Sequence, residues 1–178
     1  QMCIRDSSGS VSNIRDIRTG GSGMPGDSFF FPFGSFPSNL VEANGKYYFA
    51  ANDGVTGIEL WTSDSTRNGT NLAADIFKGD TTYELTGAKA PNNSNPRFIT
   101  NFRGNIFFSA DDGSGKGVEL WQYDTSTSKA SIFADLNKKG DSRPMDLVAG
   151  NTRLYFTATD DTGARSIWSY DGTTVLKL

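Results

Sequence analysis

Two glutamates in this chain are candidates for acid and base catalysis. Glu59 and Glu119 each precede a Leu-Trp pair, and two carboxyl groups that face one cleft can act as general acid and general base. They stand at equivalent positions of an internal repeat, which would place them on different structural units, and Ser166 occupies the third such position. We therefore expect that this pair is not catalytic.

Three acidic segments offer oxygen ligands for a hard cation. Asn52-Asp53, Asp111-Asp112 and Asp160-Asp161 each follow an apolar run, and calcium favours such ligands. None has the spacing of a helix-flanked calcium loop, and Asp or Asn near glycine is ordinary in hairpin turns. The prediction is a set of turns that need no cofactor. Calcium is the alternative, with candidate ligands Asp53, Asp111, Asp112, Asp160 and Asp161.

Aromatic residues form the densest cluster that could bind a ligand. They lie in a glycine-flanked segment that precedes the first repeat. Such a cluster either packs beneath its own loop as a small satellite core or presents a stacking surface for a sugar or a peptide. The residues predicted to bind a ligand are Phe29, Phe30, Phe31, Phe33, Tyr83, Asp53 and Asp112.

Composition excludes several classes of function. The 178 residues include no histidine, and the one cysteine is Cys3. Ser-His-Asp and Cys-His catalysis, histidine-bound metals and internal disulfides are therefore excluded. The formal net charge is −3, from 17 basic and 20 acidic residues that are interspersed. Without a basic stripe or an apolar run of about 18 residues, we expect neither a nucleic-acid partner nor membrane insertion.

An internal repeat sets the elements that position these residues. Residues 57–64 return as residues 117–124 and, more loosely, as residues 165–171. In every copy a proline stands twelve residues before the last aromatic of an apolar run: Pro37 and Phe49, Pro96 and Phe108, Pro144 and Phe156. Such a period indicates supersecondary units that bury their apolar surface only against one another.

Each copy predicts four short strands, at residues 40–43, 47–51, 58–62 and 71–76 in the first. Both alternating faces are apolar, so each sheet must be covered on both sides. The prediction is an all-β fold, a β-propeller fragment of about three four-stranded antiparallel blades in an open arc. We expect Trp61 and Trp121 to pack between blades. Trp168 should matter less, because no blade follows it in the sequence.

Strand parity predicts where function would lie. In a four-stranded antiparallel unit, the turn after strand two and the exit of strand four share one end of the sheet. Two of the connections that leave by that end carry insertions, at residues 19–36 and 77–95, and the second insertion reads as a solvated loop. Insertions on one face of a repeat protein often form its binding surface. We call this end the rim.

Residues 59–70 carry a family resemblance, because they match the pattern ELWxxDGTxxGT except at Ser65. The chain resembles the ELWxxDGT repeat family over residues 11–178. The resemblance implies a bacterial, exported protein of propeller-like β repeats, located outside the cell or at its surface, and it implies no agreed activity. Residues 1–7 resemble the translation of a sequencing adapter, so we expect a metagenomic fragment in which the remaining blades of the same chain are missing.

The predicted organisation has eight parts. They are the adapter-like residues 1–7, an outer strand of a preceding blade at 8–18, the aromatic and glycine-rich insertion at 19–36, a blade at 37–76, an insertion at 77–95, a blade at 96–136, a short connection at 137–143, and a blade at 144–178 whose last strand is cut short.

These patterns favour a non-enzymatic binding or structural repeat module whose ligand, a glycan or a protein, lies on the rim. The alternative is a fragment of a carbohydrate-active propeller enzyme that uses rim carboxylates. Catalysis is left open, and the non-enzymatic interpretation is favoured because nothing supplies an activated nucleophile.

Overall fold

The computed structural model describes residues 2–5, 11–19, 21–22, 31–32 and 34–178. Every regular element within those residues is a β-strand. The described part of the chain therefore contains no helix that could cross a membrane. The all-β prediction is confirmed.

Four short strands precede the repeats. β1 (Met2–Arg5) pairs antiparallel with β2 (Val11–Arg15), and β3 (Gly21–Ser22) pairs antiparallel with β4 (Phe31–Pro32). β1 lies within the adapter-like residues 1–7. β2 was expected to belong to a preceding four-stranded blade, and in this structure it pairs with β1.

The repeats form three four-stranded antiparallel sheets in chain order. The first sheet contains β5 (Ser38–Ala43), β6 (Lys46–Asn52), β7 (Ile58–Ser63) and β8 (Asn71–Ala74). A hairpin of β9 (Asp80–Thr82) and β10 (Lys89–Pro91) follows. The second sheet contains β11 (Arg97–Phe102), β12 (Asn105–Ala110), β13 (Glu119–Asp124) and β14 (Lys129–Ala134). The third contains β15 (Met145–Ala149), β16 (Leu154–Thr159), β17 (Arg165–Tyr170) and β18 (Val175–Lys177).

Residues 77–95, predicted as a solvated loop, contain the β9–β10 hairpin. Its turn is closed by hydrogen bonds from the Tyr83 and Gly87 N–H groups, to the Ala88 and Tyr83 carbonyls respectively, both at 2.8 Å. Residues 78–89 are exposed. The insertion is thus a regular antiparallel hairpin that projects from the connection between the first and second sheets.

Turn residues fix the strand pairing within the sheets. Asn44-Gly45 and Arg103-Gly104 join the first two strands of the first and second sheets, with φ angles of 53° and 75° and of 54° and 81°. Positive φ at both central residues is the geometry of the two-residue hairpin turn that suits the twist of a β-sheet. The Asn-Gly pair therefore predicts the turn that the structure contains.

The first strand of every sheet contains a β-bulge at the same place. The register against the second strand shifts after Ser38, Arg97 and Met145. One residue further on, Asn39, Phe98 and Asp146 have φ angles of 56°, 55° and 55°. A bulge bends its strand and redirects the neighbouring side chains. These first strands also lie closest to one another across neighbouring sheets, so the bulges face the space between sheets.

The sheets pack face to face through apolar clusters. Tyr48 and Leu60 of the first sheet pack against Phe108 and Trp121 of the second. Phe107, Leu120 and Phe102 of the second sheet pack in turn with Leu154 and Phe156 of the third. Each sheet is therefore covered by its neighbour, as apolar residues on both faces require.

The tryptophans pack toward the preceding sheet, which corrects one expectation. Trp121 contacts the first sheet, and Trp168 packs against the second. Trp61 lies with Ile17, Phe49 and Leu72. Trp168 was expected to contribute less to stability because no blade follows it. That reason is wrong, because Trp168 packs against the preceding sheet.

The far face of the third sheet is exposed. Val148, Tyr155 and Ile167 occupy the positions at which Val41, Tyr48 and Leu60 of the first sheet meet the second sheet. Across the described residues the three sheets do not close into a ring. The structure is therefore an open arc of four-stranded sheets, an arrangement that fits the blades of a β-propeller.

Candidate functional site

The repeated glutamates join consecutive sheets. Glu59 is fully buried. One of its carboxylate oxygens accepts a hydrogen bond from the Ser94 N–H at 2.9 Å, and the other accepts from the Ser94 hydroxyl at 2.6 Å and the Ile76 N–H at 2.9 Å. Ile76 follows the last strand of the first sheet, and Ser94 precedes the first strand of the second. The carboxylate therefore holds the exit of one sheet beside the entry of the next.

Glu119 repeats this arrangement between the second and third sheets. It is also fully buried and accepts hydrogen bonds from the Ser142 N–H at 3.1 Å and the Ser142 hydroxyl at 2.5 Å. The Leu136 N–H donates to it as well. We call each such set of contacts a Glu-Ser lock.

Burial controls the titration of both lock carboxyls. It raises the pKa of Glu59 above its usual range and raises the pKa of Glu119 to about 7, although the serine hydrogen bonds act in the opposite direction. Removal from water disfavours the charged form of a carboxyl group. The two carboxyls lie at different sheet interfaces, each bound to its own serine, so the structure does not bring them together as an acid and base pair.

Glycine precedes each lock glutamate because the next connection passes directly above it. A Cβ on Gly57 would lie 1.9 Å from the Asn92 carbonyl oxygen, and a Cβ on Gly117 would lie 2.0 Å from a carboxylate oxygen of Asp141. Beside them, the Ile58 and Val118 N–H groups donate to the side chains of Asn93 and Asp141. The turn after the second strand thus lies against the connection to the next sheet.

Two grooves open on the rim beside the locks. The first groove, between the first and second sheets, has a volume of about 350 Å³, and the second groove, between the second and third, about 360 Å³. The first groove is lined by Ser35, Phe36, Ser38, Asn39, Ala50, Asn52, Ile58, Asn95, Pro96 and Arg97. Ten residues of the second groove stand at the equivalent repeat positions: Ser94, Asn95, Arg97, Phe98, Ser109, Asp111, Val118, Arg143, Pro144 and Met145. The grooves are therefore two copies of one site.

The two copies differ in charge. Asn52 of the first groove is replaced by Asp111 in the second, and Asn95 is replaced by Arg143. Arg143 is held by Asp141, with nitrogen to oxygen distances of 2.9 Å and 2.8 Å. Among the described residues of the first groove, Arg97 is the one that carries a charge, and it lines both grooves. Volumes of this size suit small polar ligands such as one or two sugar units.

Most of the predicted aromatic platform lies outside the described residues. Phe29, Phe30 and Phe33 fall in that part of the chain, and Phe31 is described only as part of the short strand β4. Tyr83 is 56% exposed at the tip of the β9–β10 hairpin. Phe36, which sequence analysis assigned to the insertion without a role, is 78% exposed and lines the first groove.

The predicted aspartates of the rim stabilise their own turns. One oxygen of Asp53 accepts from the Val55 and Thr56 N–H groups, at 2.8 Å and 2.7 Å. Asp112 accepts from the Ser114 N–H at 2.9 Å. The residues that line the grooves are their immediate predecessors, Asn52 and Asp111. Such side-chain to backbone bonds are typical of Asx turns.

The other calcium candidates have similar partners. Asp111 accepts from the Gly113 N–H at 2.8 Å, and Asp161 accepts from the Lys138 N–H at 2.6 Å. Asp160 binds the Thr162 hydroxyl and the Lys177 ammonium group, and these bonds, with that of Lys177 the largest cause, hold its pKa well below its usual range. Among the residues for which side chains are placed, no three Asp, Glu, Cys or His side chains are arranged to hold a metal ion.

The lock serines and Arg97 are the residues that sequence reasoning missed. The lock serines Ser94 and Ser142 each stand two residues before a repeated proline and are buried, as is Ser35 at the equivalent position of the first copy. That recurrence was available in the sequence, because the proline register had already aligned the copies. Arg97 offered no such signal, since Ser38 and Met145 occupy its equivalent positions.

Comparison with known proteins identifies no relative. No protein-family model matches the chain, and no curated protein matches it.

Proposed function

We propose that this chain is a non-enzymatic binding module of an exported bacterial repeat protein and that it binds glycans in the rim grooves. The observation that carries the proposal is the duplication of one groove at two sheet interfaces, with ten equivalent lining positions in each. Repeat proteins commonly build extended binding surfaces from equivalent positions of successive units.

The lining of the grooves supports a sugar more than a protein segment. Amide, hydroxyl and guanidinium groups alternate with the exposed ring of Phe36 and the side chains of Pro96 and Ile58. A few polar groups above an apolar floor fix the orientation of a small ligand, and an exposed aromatic ring offers a flat surface for a sugar ring. A protein partner on the same rim is the alternative outcome of the experiment below.

The buried glutamates support the non-enzymatic interpretation. Glu59 and Glu119 are the carboxyls that an enzyme would most readily use, and each is fully buried and occupied by a Glu-Ser lock. A general acid must reach the atom to which it gives its proton. A carbohydrate-active enzyme that uses Asp111 or another rim carboxylate is the second candidate function.

A glycan array with the 178-residue chain tests the proposal, followed by titration of the best ligand against Phe36→Ala and Tyr83→Ala. Loss of binding in Phe36→Ala supports the grooves. Loss only in Tyr83→Ala would move the site to the β9–β10 hairpin. Val148→Ser, on the far face of the third sheet, is the control that should bind normally.

Two further outcomes would overturn the proposal. Binding to immobilised surface proteins without any glycan signal would favour a protein partner. Release of reducing sugar ends, abolished by Asp111→Asn, would favour the enzyme. The exported location is tested by fractionating a bacterium that encodes this repeat, and recovery from the cytoplasm alone would contradict it.

A further inference from the structure

Among the described residues that line the first groove, one carries a charge. The side chain of Arg97 is exposed, and its guanidinium group makes no hydrogen bond or ion pair with any described residue. The other polar side chains of that groove are neutral: Ser35, Ser38, Asn39, Asn52 and Asn95. The positive charge of Arg97 is therefore uncompensated within the groove.

Amide groups and an aromatic ring line the same groove as that charge. Asn52 accepts a hydrogen bond from the Gly54 N–H through its oxygen at 2.7 Å, and its amide nitrogen has no partner among the described residues. Asn39 and Asn95 line the same space, where their amide nitrogens donate to the Ser38 hydroxyl and the Asn93 carbonyl at 3.2 Å, which leaves their amide oxygens as acceptors. The ring of Phe36 is 78% exposed and lines the groove as well. Amides recognise hydroxyl groups through hydrogen bonds, and an aromatic ring stacks on the apolar face of a sugar.

We infer that the first groove binds a sugar unit that carries a carboxylate, as uronic acids do, with Arg97 as the partner of the carboxylate. A guanidinium group presents two parallel N–H donors that match the two oxygens of a carboxylate. Arg97 binds the acidic group, the asparagine amides bind ring hydroxyls, and Phe36 packs against the ring. This inference rests on the proposed function and specifies its ligand.

The second groove carries an acidic side chain that the first groove lacks. Asp111 places a carboxylate at the position of Asn52, and Arg143 is already paired with Asp141 at 2.8 Å. A second carboxylate brought beside Asp111 would meet like-charge repulsion. The two copies of the site are therefore expected to differ in the charge of the sugar that they accept.

The test is isothermal titration of the 178-residue chain with trigalacturonate and with its fully methyl-esterified form. The ester keeps the sugar rings and hydroxyls and removes the charge. Trigalacturonate should bind at least about tenfold more tightly than the ester, because hydrogen bonds to charged groups are the stronger ones. The preference should weaken as salt is added.

Three variants make the assignment specific. Arg97→Gln should reduce the affinity for trigalacturonate to that for the ester. Asn52→Asp should have the same effect while keeping the turn, since Asp111 accepts the equivalent Gly113 N–H bond. The control is Arg67→Gln, which removes an equally exposed arginine from the turn between β7 and β8, at the end of the sheet opposite the rim.

The outcomes separate the inference from the proposed function. Equal binding of acid and ester in the wild type, or unchanged binding in Arg97→Gln, would overturn the inference and leave a neutral-glycan module. A sulfated oligosaccharide that binds in place of trigalacturonate would also overturn it. Binding of hexaglutamate with no binding of any sugar would overturn both and favour an acidic protein partner.

Discussion

A buried carboxylate costs stability unless its oxygens have hydrogen-bond partners, and the Glu-Ser lock supplies those partners. Glu59 has three donors within 2.9 Å, two of them from one serine. Charge-assisted bonds of this kind are stronger than neutral ones. They compensate for burial only partly, since the pKa of both lock carboxyls is raised. The lock is therefore sensitive to the protonation state of the glutamate.

The first prediction concerns pH. The pKa of Glu119 is about 7 in the folded protein and 4.5 in its ordinary state, so folding favours the protonated form. The protonated Glu119 side chain therefore stabilises the folded protein. This contribution to the free energy of unfolding is complete below about pH 4.5 and is lost as the pH rises to about 7, above which the free energy no longer depends on this group. The loss is at most about 1.4 kcal/mol per pH unit.

Urea unfolding between pH 5 and pH 8 measures this effect. Glu119→Gln should remove part of the slope, and the remainder should belong to Glu59. Asp124→Asn is the control, because hydrogen bonds, with that of the Ser126 hydroxyl first, lower the pKa of Asp124 and place its titration below this range. An identical slope in wild type and Glu119→Gln would contradict the assignment.

The second prediction concerns the glycine before the lock. Gly57→Ala places a methyl group 1.9 Å from the Asn92 carbonyl oxygen at a φ of 83°, so the connection must move. Gly115→Ala is the matched control, because its φ is 89° and nothing lies within 4 Å of the added Cβ. Both substitutions incur backbone strain of about 1 to 3 kcal/mol, and Gly57→Ala should cost more. Equal losses in thermal unfolding would show that the close contact is unimportant.

At the scale of the elements, alternation and turn chemistry predicted most of the sheets. The strand at residues 105–110 follows from an apolar run between two turns, and Asn44-Gly45 fixes the hairpin that joins the first two strands of the first sheet. The β9–β10 hairpin could not be predicted, because Asp80–Thr82 is polar and exposed and Lys89–Pro91 is too short to show an apolar alternation. The bulges were also missed, since positive φ at Phe98 or Asp146 has no signature in residue type.

The third prediction compares the tryptophans of the second and third sheets. Trp121 is 7% exposed between the first and second sheets, whereas Trp168 is half-buried against the second. Trp121→Ala should destabilise by about 3 to 5 kcal/mol, and Trp168→Ala by less, because it buries less surface. Chemical denaturation measures both. An equal or greater loss for Trp168→Ala would contradict the described packing.

At the scale of the whole molecule, the arc leaves one apolar face open. The third sheet exposes Val148, Tyr155 and Ile167, whose counterparts in the first sheet are covered. This result follows from the repeat in the sequence, since the copies were expected to bury their surfaces only against each other. The position of the grooves did not follow, because it depends on how neighbouring bulges and connections meet.

The fourth prediction is that this face makes the isolated chain self-associate. Exposed apolar surface of this extent favours contact with a second copy. Light scattering should report species larger than the monomer, and Ile167→Asp should shift the population toward the monomer. Leu85→Ser at the hairpin tip is the control, since it removes an even more exposed apolar side chain that lies outside this face. A monodisperse wild-type monomer would contradict the prediction.

The Glu-Ser lock also separates the length of a connection from the geometry of the sheets that it joins. Glu59 holds Ile76 and Ser94 with 17 residues between them, and Glu119 holds Leu136 and Ser142 with five. Because the carboxylate holds both ends in each case, connections that differ by twelve residues join their sheets through the same contacts. The length of a connection can therefore differ between copies of the repeat while neighbouring sheets keep the same packing.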